Sequence, residues 1–309
     1  VAGCASDPPV PVTASTWQQV DREITTLSRS AAQQAREHAL LSMEQWMDLV
    51  YQQTDEEFIP WFSSYWTQQW MSVKVSWYRL SNGGAKDPSV KRLALYLQEQ
   101  YRERVLEPVA ETDDPQQIMA RSTWIYLQHL DENLPRIAQQ YDVPREQFHQ
   151  RLQAIPAITQ APGASLYELL HAEPLTELPA YAAFIERIRN APRGLGDWSA
   201  DPGISAVAQQ TSERLVDDLA VSGAAGALSA LIGGPAGTTV SLGVALFTAV
   251  SRENARPASE AQLRKNLNAA FDDEWLGLMR STEHGVLAGV HQLSGQIESG
   301  LRVPFRYQP

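Results

Sequence analysis

Cysteine is all but absent: Cys4 is the only one among 309 residues. That excludes an internal disulfide and any zinc site built on several cysteines. Basic charge is scarce as well. The chain carries 25 Lys and Arg against 36 Asp and Glu, a net charge of −11, and its Lys and Arg never gather into a block. A protein that tracks phosphates by releasing counterions needs such a block, so no nucleic-acid partner is expected. Nor is a polybasic membrane-surface patch. The patterns H-E-x-x-H, G-x-S-x-G, G-x-G-x-x-G and G-x-x-x-x-G-K-[ST] are missing, and with them the zinc-protease, serine-hydrolase and nucleotide-binding signatures they carry. Sustained apolar–polar alternation rich in Val, Ile and Thr is also missing, so no strand is predicted.

What is there reads as helix. Apolar residues make up 43% against 20% charged, enough to build a buried core. Val20, Ile24, Leu27, Ala31 and Leu41 recur at three- and four-residue steps, ahead of Trp46, Leu49 and Val50. They predict one long helix, capped by Ser15 or Thr16 and ending near Gln53. Asp87-Pro88, Asp114-Pro115 and Asp201-Pro202 repeat a start signal in which Asp accepts free N–H groups and Pro has no N–H to waste. Val143-Pro144 and Ser259, with Gln262 three residues on, offer two more starts. Pro- and Gly-rich breaks fall at Ser81–Ser89, Ile155–Ser165 and Pro192–Gly203. The expected fold is all-α: a multi-helix bundle around a central, buried, Gly/Ala-rich apolar hairpin. A tether over residues 1–14 precedes a helical region over 15–190 and a second over 204–309. Ala191–Gly203 is their boundary, unless the two regions form one continuous domain.

Two segments stand out. Phe58 to Tyr78 holds four of the nine tryptophans, and at helical spacing its aromatic residues cover about half the circumference. Such an arc predicts a helix buried on more than one side. Its functional reading makes Trp61, Tyr65, Trp66, Trp70 and Trp77 candidates for a ligand cleft. Ile59, placed before Pro60, is pushed away from α geometry, so a break or kink is expected there. The second segment, Leu219 to Ser251, has no charged side chain. Gly233-Gly234-Pro235-Ala236-Gly237 splits it into two arms, each about 20 Å long at about 1.5 Å per residue. A bilayer core is about 30 Å thick, so neither arm spans one alone. Small residues at Gly223, Gly226 and Gly243 suit close helix packing. The hairpin is read either as a buried core element or as a membrane-inserting device. In the latter case its arrangement is similar to the apolar hairpin of colicin-type pore-formers.

Val1-Ala2-Gly3-Cys4 resembles the end of a bacterial lipobox, with the polar, Pro-rich stretch from Ser6 to Ser15 behind it. The resemblance implies a lipoprotein acylated at Cys4, its tether standing the body off the bilayer. By the sorting pattern known for such lipoproteins, Ala5 implies the periplasmic face of the outer membrane; Asp7 leaves an inner-membrane address open. The order of features also resembles a group of uncharacterised bacterial helical proteins. There an aromatic helix (here Phe58-Ile59-Pro60-Trp61-Phe62) precedes a Gly/Ala-rich stretch (Gly223–Val250) and a closing amphipathic helix (Leu263 to Met279). Pro60 departs from that pattern, and no activity comes with the likeness.

Glu146-Gln147-Phe148-His149 is an E-x-x-H with no second copy, where di-iron carboxylate sites need two. It reads as a solvated face. His284 and His291 are spaced to share a helix face but lack a placed carboxylate. Asp55-Glu56-Glu57, Asp113-Asp114 and Asp272-Asp273-Glu274 are expected at helix starts or exposed turns, favoured by the helix dipole. No catalytic residue, metal or other cofactor is expected. The expected function is a non-enzymatic envelope lipoprotein that binds or supports an unknown envelope protein, with the membrane as partner through Cys4. The alternatives are a membrane-active protein and a periplasmic immunity-type inhibitor of a basic toxin.

Overall fold

A computed structural model of the chain describes residues 11–64, 74, 86–192, 195, 203–222 and 256–308. In chain order these form α1 (Ala14–Gln53), a π turn (Thr54–Phe58), α2 (Ile59–Ser63), α3 (Lys86–Tyr101), a second π turn (Arg102–Leu106) and α4 (Glu107–Ala110). Next come α5 (Pro115–Gln140), α6 (Arg145–Gln153), β1 (Pro156–Ile158), β2 (Ala164–Ser165), α7 (Leu166–His171), a 3-10 turn (Leu175–Glu177) and α8 (Pro179–Arg189). α9 (Ile204–Ser222), α10 (Arg256–Arg280) and α11 (Ala288–Leu301) follow. The class is all-α and multi-helix. Among the described residues the one departure is an antiparallel pair inside the Ile155–Ser165 break, with Pro156 opposite Ser165 and Ile158 opposite Ala164. Strands of three and two residues are too short to produce an alternation that sequence periodicity could register.

Local signals fare unevenly. α1 ends at Gln53 as its periodicity predicts, but its cap is Thr13, whose hydroxyl accepts the Thr16 N–H at 3.2 Å. α5 begins at Pro115 and α6 at Arg145, with Pro144 before it. α3 carries Asp87 and Pro88 in its first turn, and α10 starts at Arg256, ahead of Ser259. Asp201-Pro202 lies outside the described residues. Ile59 keeps right-handed helical geometry (φ −64°, ψ −46°), contrary to the expected break. The adjustment falls one turn earlier. Pro60 would clash with the carbonyl four residues back, and the π turn widens the backbone there. The same device recurs where the second π turn precedes Pro108. Asp55-Glu56-Glu57 therefore sits within a continuing helical run and Asp272-Asp273-Glu274 inside α10, where a helix start or turn is expected for both.

The chain divides into two compact units. One gathers Val1–Met43, Pro115–Gly196 and Leu278–Pro309; the other gathers Glu44–Asp114 and Asp197–Gly277. Neither unit is a single stretch of sequence; each gathers segments from separate parts of the chain. The passage at 196/197 falls within Ala191–Gly203, but two others fall inside α1 and α10. A helix that runs on from one unit into the other leaves no compositional mark.

In the first unit α1 buries Trp17, Val20, Ile24, Ala31, Ala35 and Ala39, while α5 buries Ile118, Met119, Tyr126, Leu130 and Leu134. α11 adds Val290, Leu293 and Ile297. Ser28 and Tyr126, both fully buried, hydrogen-bond through their hydroxyls at 2.8 Å. α11 lies so near α5 that a Cβ on Gly289 would stand 2.2 Å from Thr123 Oγ1. In the second unit α3 packs along α9, and Phe58, Tyr101 and Phe271 form an aromatic core in which Tyr101 meets Phe58 edge-on at 4.9 Å. The two π turns pack against each other.

Candidate cleft of the first unit

α7 opens with a capping box that lies beyond the start signals read from the sequence. Ser165 Oγ accepts the Glu168 N–H at 3.3 Å, and the Ser165 N–H donates to Glu168 Oε2 at 2.7 Å. Ser165-x-x-Glu168 is the pattern that could have marked it. With this end held, Leu166 and Leu169 turn inward and Leu170 is left at the lip of a cavity of about 720 Å³. The cavity's long walls are two helices. α5 contributes Ala120, Trp124, Leu127 and Asp131, at steps of four, three and four, which is one helical face. α8 contributes Tyr181, Ile185 and Arg189, again one face. At about 1.5 Å per residue these stripes run about 16 Å and 12 Å.

The floor is apolar and the lip polar. Leu127, Tyr181 and Ile185 are buried, whereas Trp124 is 49% exposed. Burial pushes the Tyr181 hydroxyl up to about 12, against the pull of Arg189, so the phenol stays protonated and able to donate. Arg189 Nη1 and Asn190 Nδ2 both donate to Glu186, at 3.3 and 3.2 Å. Asp131 and Glu173, both exposed, have no such donor among the described residues. Pro135 sits inside α5 and has no N–H, so the carbonyl of Asp131 lacks its helical donor. No described side chain takes that place. Asp131 therefore presents a carboxylate and an under-satisfied carbonyl together.

A second cavity of about 660 Å³ shares Asp131 and Leu170 with the first and adds Pro135, Arg145, His149 and His171. Here the E-x-x-H histidine finds its surroundings. His149 lies 5.1 Å from the Tyr167 ring and 5.5 Å from His171, and Tyr167 stacks on His171 at 3.9 Å. Burial, then Arg145 and His171, hold His149 below its ordinary pKa of 6.5, so it is neutral at neutral pH. Among the described residues no group of three His, Cys, Asp or Glu is arranged to hold a metal ion. His284 precedes α11 while His291 lies on it, so the two do not share a helix face.

α6 also anchors two distant segments. The Val12 N–H donates to Gln147 Oε1 at 3.2 Å, and Gln150 exchanges two hydrogen bonds with the Gln308 backbone, at 2.7 and 2.9 Å. Between them Arg151, 2% exposed, donates to Asp21 Oδ1 at 2.8 Å and lies 5.2 Å from the Phe305 ring.

Of the residues singled out in the sequence, Trp61 is in the second unit, against Phe58 at 5.6 Å, with the Arg104 guanidinium 4.7 Å from its ring. Tyr65, Trp66, Trp70 and Trp77 lie outside the described residues. So do Cys4 and the hairpin positions Gly223, Gly226, Gly233, Gly234, Pro235, Gly237 and Gly243. Among the described residues no helix is long and apolar enough to cross a membrane. Compared with protein-family models, with curated proteins and with solved structures, this chain matches none.

Proposed function

We propose that this chain is a non-enzymatic cell-envelope lipoprotein, acylated at Cys4, whose helical body holds a partner in the cleft between α5 and α8. Its place is the periplasmic side of the outer membrane. The observation that carries the binding role is Trp124, half exposed above an apolar floor in an open cavity of about 720 Å³. Binding sites for molecules and peptides are concave, mostly apolar and edged by a few polar groups. Tryptophan is also the residue most enriched where interfaces concentrate their binding energy. Among the described residues the lining contains no His, Cys or Ser; it offers apolar surface, the exposed carboxylates of Asp131 and Glu173, and the polar groups of Gln128, Thr176, Tyr181 and Arg189.

The anchoring role rests on Val1-Ala2-Gly3-Cys4 and on Ala5. Because Val12 is tied to Gln147, the residues back to Cys4 allow the body to stand at most about 30 Å from the acyl chains. Two or more such chains hold without help from the protein, at about 0.8 kcal/mol per buried CH₂.

Fractionation and crosslinking in the native host test both parts. Wild type is expected in the membrane fraction, crosslinked to a defined partner. Cys4→Ser should move the protein to the soluble fraction, and Trp124→Ala should lose the crosslink while staying on the membrane. Retention of Cys4→Ser on the membrane would refute the anchor; an undiminished crosslink in Trp124→Ala would refute the cleft.

A further inference from the structure

We infer that the cleft's partner is a cationic amphipathic helix, its apolar face against Trp124, Leu127 and Ile185 and its basic residues against Asp131 and Glu173. The inference rests on the binding role proposed for the cleft and adds the chemical class of what binds there.

Shape favours a helix. The groove is walled by two helical stripes about 16 Å and 12 Å long, the rise of two to three turns. A third helix laid in a groove between two others anchors through residues at i, i+3, i+4 and i+7. A wall built at the same spacing presents matching hollows. Charge selects the sign. Four charged residues line the cavity: Asp131, Glu173, Glu186 and Arg189. Arg189 is engaged by Glu186 at 3.3 Å, which leaves two carboxylates, at Asp131 and Glu173, without a cation among the described residues. Pro135 adds a further acceptor by leaving the Asp131 carbonyl without its helical donor. Donors also occur in the cleft: Arg189 Nε is buried without a partner among the described residues, and the Trp124 indole and Tyr181 phenol each carry one. The exposed acceptors are the carboxylates of Asp131 and Glu173 and the Asp131 carbonyl. Lys and Arg, which only donate, complete that set; an acidic or neutral helix does not.

The test uses the full chain and a synthetic peptide of about 14 residues, leucines on one face and lysines on the other, followed by fluorescence anisotropy at low salt. A second peptide replaces every lysine by glutamate. The lysine peptide is expected to bind, and binding should weaken as salt rises. Trp124→Ala should weaken it at least tenfold, and Asp131→Asn with Glu173→Gln by about tenfold. Glu37→Gln with Glu44→Gln makes the same change in net charge elsewhere and should leave binding as it was, which separates the cleft from the general acidity of the chain. Thermal melts of each variant confirm that it folds. The inference is overturned if the lysine peptide does not bind, if the glutamate peptide binds equally well, or if the remote pair costs as much as the cleft pair. A native crosslink that depends on Trp124 while the lysine peptide fails would keep the cleft as a binding site and overturn only the cationic class.

Discussion

A guanidinium taken out of water must find acceptors, and Arg151 finds Asp21 Oδ1 at 2.8 Å with the carbonyls of Gly300 and Val303 at 3.5 and 3.4 Å. The pair is costly all the same: burial holds the Asp21 carboxyl above its ordinary value, outweighing the hydrogen bond and charge of Arg151. Arg151→Met strands that carboxylate and should cost about 3–5 kcal/mol in urea unfolding. Replacing both partners, Asp21→Leu with Arg151→Met, should recover most of the loss, because an apolar pair strands nothing. Tyr101 poses the neutral version of the problem. Its hydroxyl, fully buried and pushed far up in pKa by that burial, meets Thr54 Oγ1 at 2.7 Å. Thr54→Val keeps the shape and removes the partner, at an expected cost of about 1–3 kcal/mol.

Elements show how three prolines are accommodated inside helical runs. Pro60 and Pro108 each follow a π turn by two residues, and the carbonyl that Pro108 cannot serve, that of Arg104, takes a hydrogen bond from Gln53 Nε2 at 3.0 Å. Pro135 has neither device among the described residues, and the Asp131 carbonyl that it cannot serve lies at the cleft. Helix packing is decided by a single atom at Gly289, where a Cβ would press on Thr123 Oγ1, a hydroxyl that donates to the Met119 carbonyl at 2.8 Å. Gly289→Leu should therefore destabilise the first unit by about 1–3 kcal/mol, read as a lower melting temperature. The end of α5 is finished by Asp142 in the left-handed region (φ 50°). The Val143 N–H reaches the Ala138 carbonyl at 2.9 Å, closing the turn.

For the molecule as a whole, pH dependence follows from His291, which burial and then Arg36 hold below 6.5, and in the same sense from His149. Its folded pKa lies below 6.5, chiefly through burial, so the unfolded chain takes up this proton first as pH falls. Stability is thus lost from about pH 6.5 down to the folded value. Melting curves between pH 7 and 5 should fall more steeply for wild type than for His149→Gln. Asp21 works the other way at lower pH: an acid held above 3.8 gains stability as pH drops through that interval. Helix phase was legible from residues alone, because it is a local property of a 3.6-residue repeat. Val20, Ile24 and Ala31 therefore located α1, and Asp114-Pro115 the start of α5. The cleft was not legible, since Trp124 and Tyr181 are ordinary members of two apolar stripes until α5 and α8 are set side by side. Sequence by itself determined that this chain folds into helices, and it alone speaks for Cys4. Only the tertiary structure decided which faces meet, because pairing depends on long-range burial and close approach, as at Gly289. That pairing interleaves two units and leaves an acidic-lipped groove open.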